Sequence, residues 1–249
     1  MLDHPYVKAV VTAIIFLALL IQPVCAQQQT VPANGISYVE LVEQSFGLDQ
    51  DLINGIQYFD RYMGYKGVPY FVSIGFMDGE LTIKERVYQD VRIRYDLFSQ
   101  SVEVEYDYFF GGASWLVAVT DHIEAFKFGE YPFIKLDIEE SSGKFYQVIR
   151  TNQFTCYVHW EKKILPIQND QFFTEEFSAP KSTCLLEMNG EINVFKNRKS
   201  FAELFPEHQR KEIKRLYRKN QFRVKKASPN ELVYHMNAVA NLIKNGTLP

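Results

Sequence analysis

Beyond the first 26 residues, four histidines (His122, His159, His208, His235) and two cysteines (Cys156, Cys184) have side chains suited to metal ligation or nucleophilic catalysis. No two of these histidines are three or four residues apart, the spacing that lets a helix aim both rings at one ion, and no His-Glu-x-x-His run occurs. Cys156-Tyr157-Val158-His159 has the makings of a Cys/His dyad or half a zinc site. On a strand, however, residues three apart point to opposite faces, so this stretch predicts a structural cysteine and a surface histidine. Ser114 follows a glycine pair, but a nucleophile elbow needs glycine two residues before and two after the serine. Gly112 meets that need and Leu116 does not, so Gly111-Gly112 reads as a bulge or bend. The acidic pairs Glu139-Glu140 and Glu175-Glu176 read as solvated charge at strand ends or in loops. No glycine-rich phosphate loop connects a strand to a helix. We therefore assign no catalytic, cofactor-binding or metal-binding residues and expect no cofactor.

One charged constellation stands above background. Arg210, Lys211, Lys214, Arg215, Arg218 and Lys219 flank the apolar positions Ile213, Leu216 and Tyr217 at helical spacing. Residues 27–195 carry 13 Lys and Arg against 25 Asp and Glu, whereas residues 196–226 carry 12 against 3, a division hidden by the net charge of −3. The basic helix fits anionic lipid, acidic polysaccharide or an acidic protein surface. The reading favoured over these is a solvated face that answers the acidic sheet within the same chain. Nucleic acid suits the charge, but export argues against it.

Export is expected from the leader. Lys8 supplies positive charge, residues 9–21 form an apolar run, and Val24-Cys25-Ala26 places small residues where a signal peptidase reads, which predicts cleavage after Ala26. The run is shorter than the roughly 20 residues that cross a bilayer. Val24 stands where a lipobox wants Gly, Ala or Ser, which weighs against lipid attachment at Cys25. Periplasm, outer-membrane surface and medium are all open as destinations. Cleavage leaves Cys156 and Cys184, an even count that permits one disulfide in an exported chain. Each shares a strand face with apolar neighbours, as bridged or free buried thiols both would.

The elements that position these residues are mostly strands. Aromatic residues make up 15% of the chain, which favours sheet over helix. In residues 90–107, Val91, Ile93 and Tyr95 alternate with Arg92 and Arg94, and Val102, Val104 and Tyr106 with Glu103 and Glu105. Such alternation marks a half-buried hairpin. A reversal at Phe98-Ser99 makes paired residue numbers sum to 197, with Arg92 facing Glu105 and Arg94 facing Glu103 as a solvent-exposed ladder. That charged face weighs against an outer-membrane barrel. Asp78-Gly79 and Asn189-Gly190 read as turns, and Asn54-Gly55 as the turn of an entry hairpin. Pro206 opens a helix, and Ser228 with Glu231 forms a capping box before an apolar stripe of Leu232, Met236, Val239, Leu242 and Ile243. The organisation read is a leader (1–26), an entry segment with hairpin and loops (27–72), an antiparallel β domain (73–195) and a basic helical segment packed on the sheet (196–249). The fold class is α+β: a curved antiparallel β meander, barrel-like or sandwich-like, with C-terminal helices.

Several pieces in fixed order also carry a resemblance. They are LINGIQY (52–58), GVPYF (67–71), RYDL (94–97), DHIEAFKF (121–128) and the basic KNRKSFAELFPEHQRKEIKRLYRKNQFRVKK run with its closing helix. Together they resemble a family of exported β-rich proteins of Bacteroidetes-type bacteria that has no assigned activity. The resemblance implies fold and export but supplies no site residues. Val68 departs from it, standing where a His is expected. The function class predicted is a non-enzymatic exported binding or structural module of the cell envelope. The alternatives are an envelope hydrolase whose site is assembled only in three dimensions, or anionic-surface binding through the basic helix.

Overall fold

The structure is a computed structural model, and it describes residues 56–57, 61–107, 113–117, 122–138, 143–168 and 171–246. All of them fall in the unit Asp49–Pro249. The leader, the Asn54-Gly55 turn, Gly111-Gly112 and Glu139-Glu140 lie outside the described residues.

Strand follows strand as the alternation predicts. The elements are β1 (Ile56–Gln57), β2 (Tyr65–Lys66), β3 (Met77–Ile83), β4 (Arg86–Asp96), β5 (Ser101–Asp107), β6 (Ala113–Val117), β7 (Ile123–Phe128), β8 (Tyr131–Leu136), β9 (Lys144–Arg150), β10 (Thr155–Glu161), β11 (Ile164–Pro166), β12 (Glu175–Phe177), β13 (Lys181–Met188) and β14 (Glu191–Phe195). Helices α1 (Arg198–Glu203), α2 (Glu207–Lys219) and α3 (Pro229–Gly246) follow, with a 3₁₀ turn at Val224–Lys226 between the last two. The protein is thus mostly β with C-terminal helices, the α+β class expected.

Eleven strands form one sheet in the order β1-β6-β5-β4-β3-β7-β8-β9-β10-β13-β14, and β11-β12-β2 form a small second sheet. The large sheet is not one continuous meander. The run β3 to β6 advances in one direction, and the chain then returns to add β7 on the other side of β3. The ends of the sheet do not meet in a closed barrel, so the barrel-like expectation holds only as curvature. In a flat sheet β4 and β9 would lie about 19 Å apart. Here Tyr95 on β4 and Phe145 on β9 approach to 6.0 Å between ring centroids, so the sheet wraps around its own side chains. The end of the β4–β5 turn also reaches β10: Lys162 N donates to Leu97 O and the Gln100 side-chain amide to Trp160 O.

The concave space is full. Tyr95, Phe126, Phe133, Phe145, Trp160 and Phe71 pack ring against ring there, with Phe126 and Phe133 stacked at 4.7 Å. Gln147 sits among them and accepts from the Trp160 indole N–H at 2.9 Å, satisfying both polar groups. The helices close the other end of the core: Phe201 meets Phe195 and Tyr217, and Phe154 meets Phe205. The capping box forms as expected, with Ser228 N donating to Glu231 Oε2 and Glu231 N to Ser228 Oγ. Leu232, Met236, Val239 and Ile243 are buried as the stripe predicts.

One local expectation is corrected. Asp78-Gly79 is not a turn but lies inside β3, where Gly79 lets β7 come close: a Cβ there would sit 2.2 Å from Lys127 O. The reversal comes instead at Lys84-Glu85, both with positive φ (48° and 65°). A pair of positive-φ residues is what a two-residue hairpin requires, but Lys-Glu does not advertise it.

Candidate functional site

The β4–β5 hairpin pairs as predicted, from Arg92 with Glu105 to Asp96 with Ser101. Its charged face differs from the expected solvent ladder. Arg92 meets Glu105 at 2.5 Å, with its side chain 55% exposed. The next pair inward, Arg94 with Glu103, is also at 2.5 Å but is 9% and 2% exposed. The cause is the segment 67–76, which runs over this face. Leu97 N donates to Pro69 O and Phe71 N to Tyr95 O, so the segment occupies the flank of β4 beyond the start of β3. Tyr70 is thereby placed over Arg94 at 4.1 Å and Phe76 at 4.3 Å, and the guanidinium also donates to Ile74 O. The cation is held by a carboxylate, a carbonyl and two ring faces.

Between this segment and the hairpin lies an open groove of about 560 Å³, lined among others by Tyr62, Tyr70, Phe76, Arg92, Arg94 and Glu105. Burial pushes the Glu103 carboxyl up to about 7, against the opposing pull of Arg94. Two carboxylates two residues apart on one strand face, one of them raised, resemble an acid/base pair in outline. Glu103, however, lies beneath Arg94, out of reach of anything in the groove. Tyr62 spans the floor and donates to Asp96 at 2.7 Å; burial and that bond push its phenol up. The aromatic lid over Arg94 escaped sequence reading, although Gly67 and Pro69 marked the loop that carries it.

The thiols lie on adjacent strands. Val158 pairs with Cys184 and Cys156 with Leu186, so the two cysteines share the core-facing side, offset by one pair. Both are free and buried, and no disulfide joins them. Burial pushes Cys184 up to about 12 and Cys156 also upward, which makes both unreactive toward partners in water. Cys156 and His159 do point to opposite faces. The expectation of a surface histidine is corrected: His159 is 5% exposed, its Nδ1 lies 3.0 Å from Phe145 O, and its ring lies by Tyr146. Burial lowers its pKa. His122 and His208 are exposed, and His235 is buried against Phe222. Glu175 and Glu176 sit at the start of the short strand β12, a strand end as expected, but half-buried rather than solvated, and Ser114 lies on β6. Among the described residues no group of three or more His, Cys, Asp or Glu could hold a metal ion.

The basic helix forms as α2, with Ile213 and Tyr217 buried and Leu216 packed against the core. Lys211, Lys214, Arg215, Arg218 and Lys219 are exposed. Arg210 is not part of that surface: its Nε donates to Phe205 O at 2.7 Å and a terminal nitrogen to Glu203 O, closing the end of α1. None of the exposed five forms an ion pair among the described residues, so they do not answer the acidic sheet by direct contact. Comparison with family models, with curated proteins and with solved structures returns no match.

Proposed function

We propose that this chain is an exported, non-enzymatic module of the cell envelope, a curved barrel-like sheet capped by helices, that binds its partner rather than turning it over. The observation supporting this is the state of the groove: Arg92 is paired with Glu105 and Arg94 with Glu103, so these charges neutralise one another. The one carboxyl that burial raises, Glu103, is sealed beneath Arg94, so among the described residues the groove presents shape and aromatic faces for binding and no accessible poised acid or base. The concave side of the sheet is filled by aromatic rings, which argues against an internal apolar ligand. The leader up to Ala26 and the resemblance to exported β-rich proteins support the compartment.

The hydrolase alternative is separated by one experiment. Purified chain and its Glu105→Gln variant are assayed against chromogenic glycosides, esters and peptides. No turnover by either protein is expected. Turnover lost in Glu105→Gln would overturn the proposal.

A further inference from the structure

The exposed cations of α2 do not end with the helix. Phe222 and Val224 are buried after it, and they pin the 3₁₀ turn so that Arg223, Lys225 and Lys226 project outward. Between Lys211 and Lys226 there are then eight exposed Lys and Arg, with Glu212 as the only acidic residue in that stretch. Among the described residues none of the eight is in an ion pair. On α2 itself Lys211, Arg215 and Arg218 succeed one another at four and three residues, along about 10 Å of one helix face. The positive surface is therefore a track rather than a spot.

The apolar residues of this segment are already used. Ile213 and Tyr217 are 0% exposed, Phe222 and Val224 are buried, and Leu216 packs on the core. No large hydrophobic side chain in residues 207–226 is among those the structure exposes. A helix that embeds in a membrane interface needs an apolar face free to enter the acyl boundary, and this one has committed its own to the protein interior. What is left is a row of hydrated charges, which suits a partner whose negative charges repeat along a flexible, water-soluble chain. The acidic remainder of the protein repels such a partner elsewhere and steers it to the track.

We infer that the segment Lys211 to Lys226 is a docking track for a linear acidic polysaccharide. The choice of polysaccharide over nucleic acid rests on the proposed export; the choice of polymer over membrane rests on the buried apolar face.

The test is binding of alginate oligosaccharides to the folded chain by calorimetry at low and physiological salt. One variant carries Lys214→Glu, Arg215→Glu, Arg218→Glu and Lys219→Glu. A control with the same charge change carries Lys127→Glu, Lys144→Glu, Lys163→Glu and Lys181→Glu, all exposed, three on strands and Lys163 in the link between β10 and β11. The track variant is expected to lose roughly tenfold or more in affinity, and the control far less, with binding by the wild type weakening steeply as salt rises. Equal losses in the two variants would overturn the track, since only net charge would then matter. Tighter binding to phosphatidylglycerol vesicles, or to a duplex oligonucleotide of equal charge, would overturn the polysaccharide. These measurements are made in vitro, so a cytosolic chain that still bound alginate through the track would overturn export and not the track.

Discussion

Arg94 on β4 and Glu103 on β5 form a cross-strand ion pair at 2.5 Å in which both side chains are withdrawn from solvent, while Arg92 and Glu105, one pair along the same face, stay at the groove. Tyr70 and Phe76 cover the inner pair; in the outer pair Arg92 stays 55% exposed while Glu105 is 12% exposed.

This pair makes stability depend on pH with a defined sign. Folded Glu103 titrates at about 7, against 4.5 for the free side chain. Between those values the folded chain holds a proton that the unfolded chain has released, so unfolding free energy falls as pH rises through the window. Urea unfolding at about pH 5 and about pH 8 is expected to show a drop of up to about 3 kcal/mol from this group. Glu103→Gln is expected to flatten that slope. Arg94→Met strands the carboxylate, and is expected to cost roughly 3–5 kcal/mol at about pH 8 and less at about pH 5, where a proton replaces the cation.

Gly79 is where β3 and β7 approach most demandingly, because a Cβ would sit 2.2 Å from Lys127 O and 3.2 Å from the Ile93 side chain. Backbone cannot move aside as a side-chain tip can. Gly79→Ala is expected to lower stability by about 2 kcal/mol or more, read as a fall in melting temperature. An unchanged melting temperature would show that β3 and β7 do not pair as described.

Tyr217 places a hydroxyl with no hydrogen-bond partner among the described residues in the interior, close enough to Cys156 and Cys184 that burial and these thiols all push its phenol up. A buried polar group without a partner opposes folding, so Tyr217→Phe is expected to be neutral or to stabilise by about 1 kcal/mol. Tyr217→Ala removes the ring that joins Phe201 to Phe222 and is expected to cost roughly 3–5 kcal/mol. The two denaturation midpoints should therefore move in opposite directions, or only the second should move.

The thiols provide a chemical count. Both are buried and free, so iodoacetamide is expected to label neither in the native chain. In denaturant without reductant, intact mass should show two labels on a chain processed after Ala26, and three if Cys25 is retained. Two unlabelled cysteines in denaturant would show that Cys156 and Cys184 are bonded after all.

The hairpin register, the Asn189-Gly190 turn and the Ser228–Glu231 cap were legible in the residues because each is local: alternation, turn chemistry and capping act within a few positions. Asn189 and Gly190 indeed take positive φ, 55° and 82°. The placement of β7 beside β3 was not legible, since nothing in either strand names its second neighbour. The burial of Arg94 was hidden for a related reason. Alternation says which way a side chain points, but whether that side is covered depends on the 67–76 segment, whose Tyr70 pairs across to Asp96. The burial of His159 was hidden in the same way, as the outward face of β10 is itself buried there. For the basic helix, residue type and spacing identified the surface, but Arg210 looked like its neighbours until its guanidinium was found on the carbonyls that end α1.

Export is the proposal on which the function rests, and it is tested by fractionating cells that produce the chain from Met1 and weighing the recovered protein. The expected result is a chain beginning at Gln27, found in the envelope fraction or the medium. A chain that begins at Met1 and stays in the cytosol would contradict it.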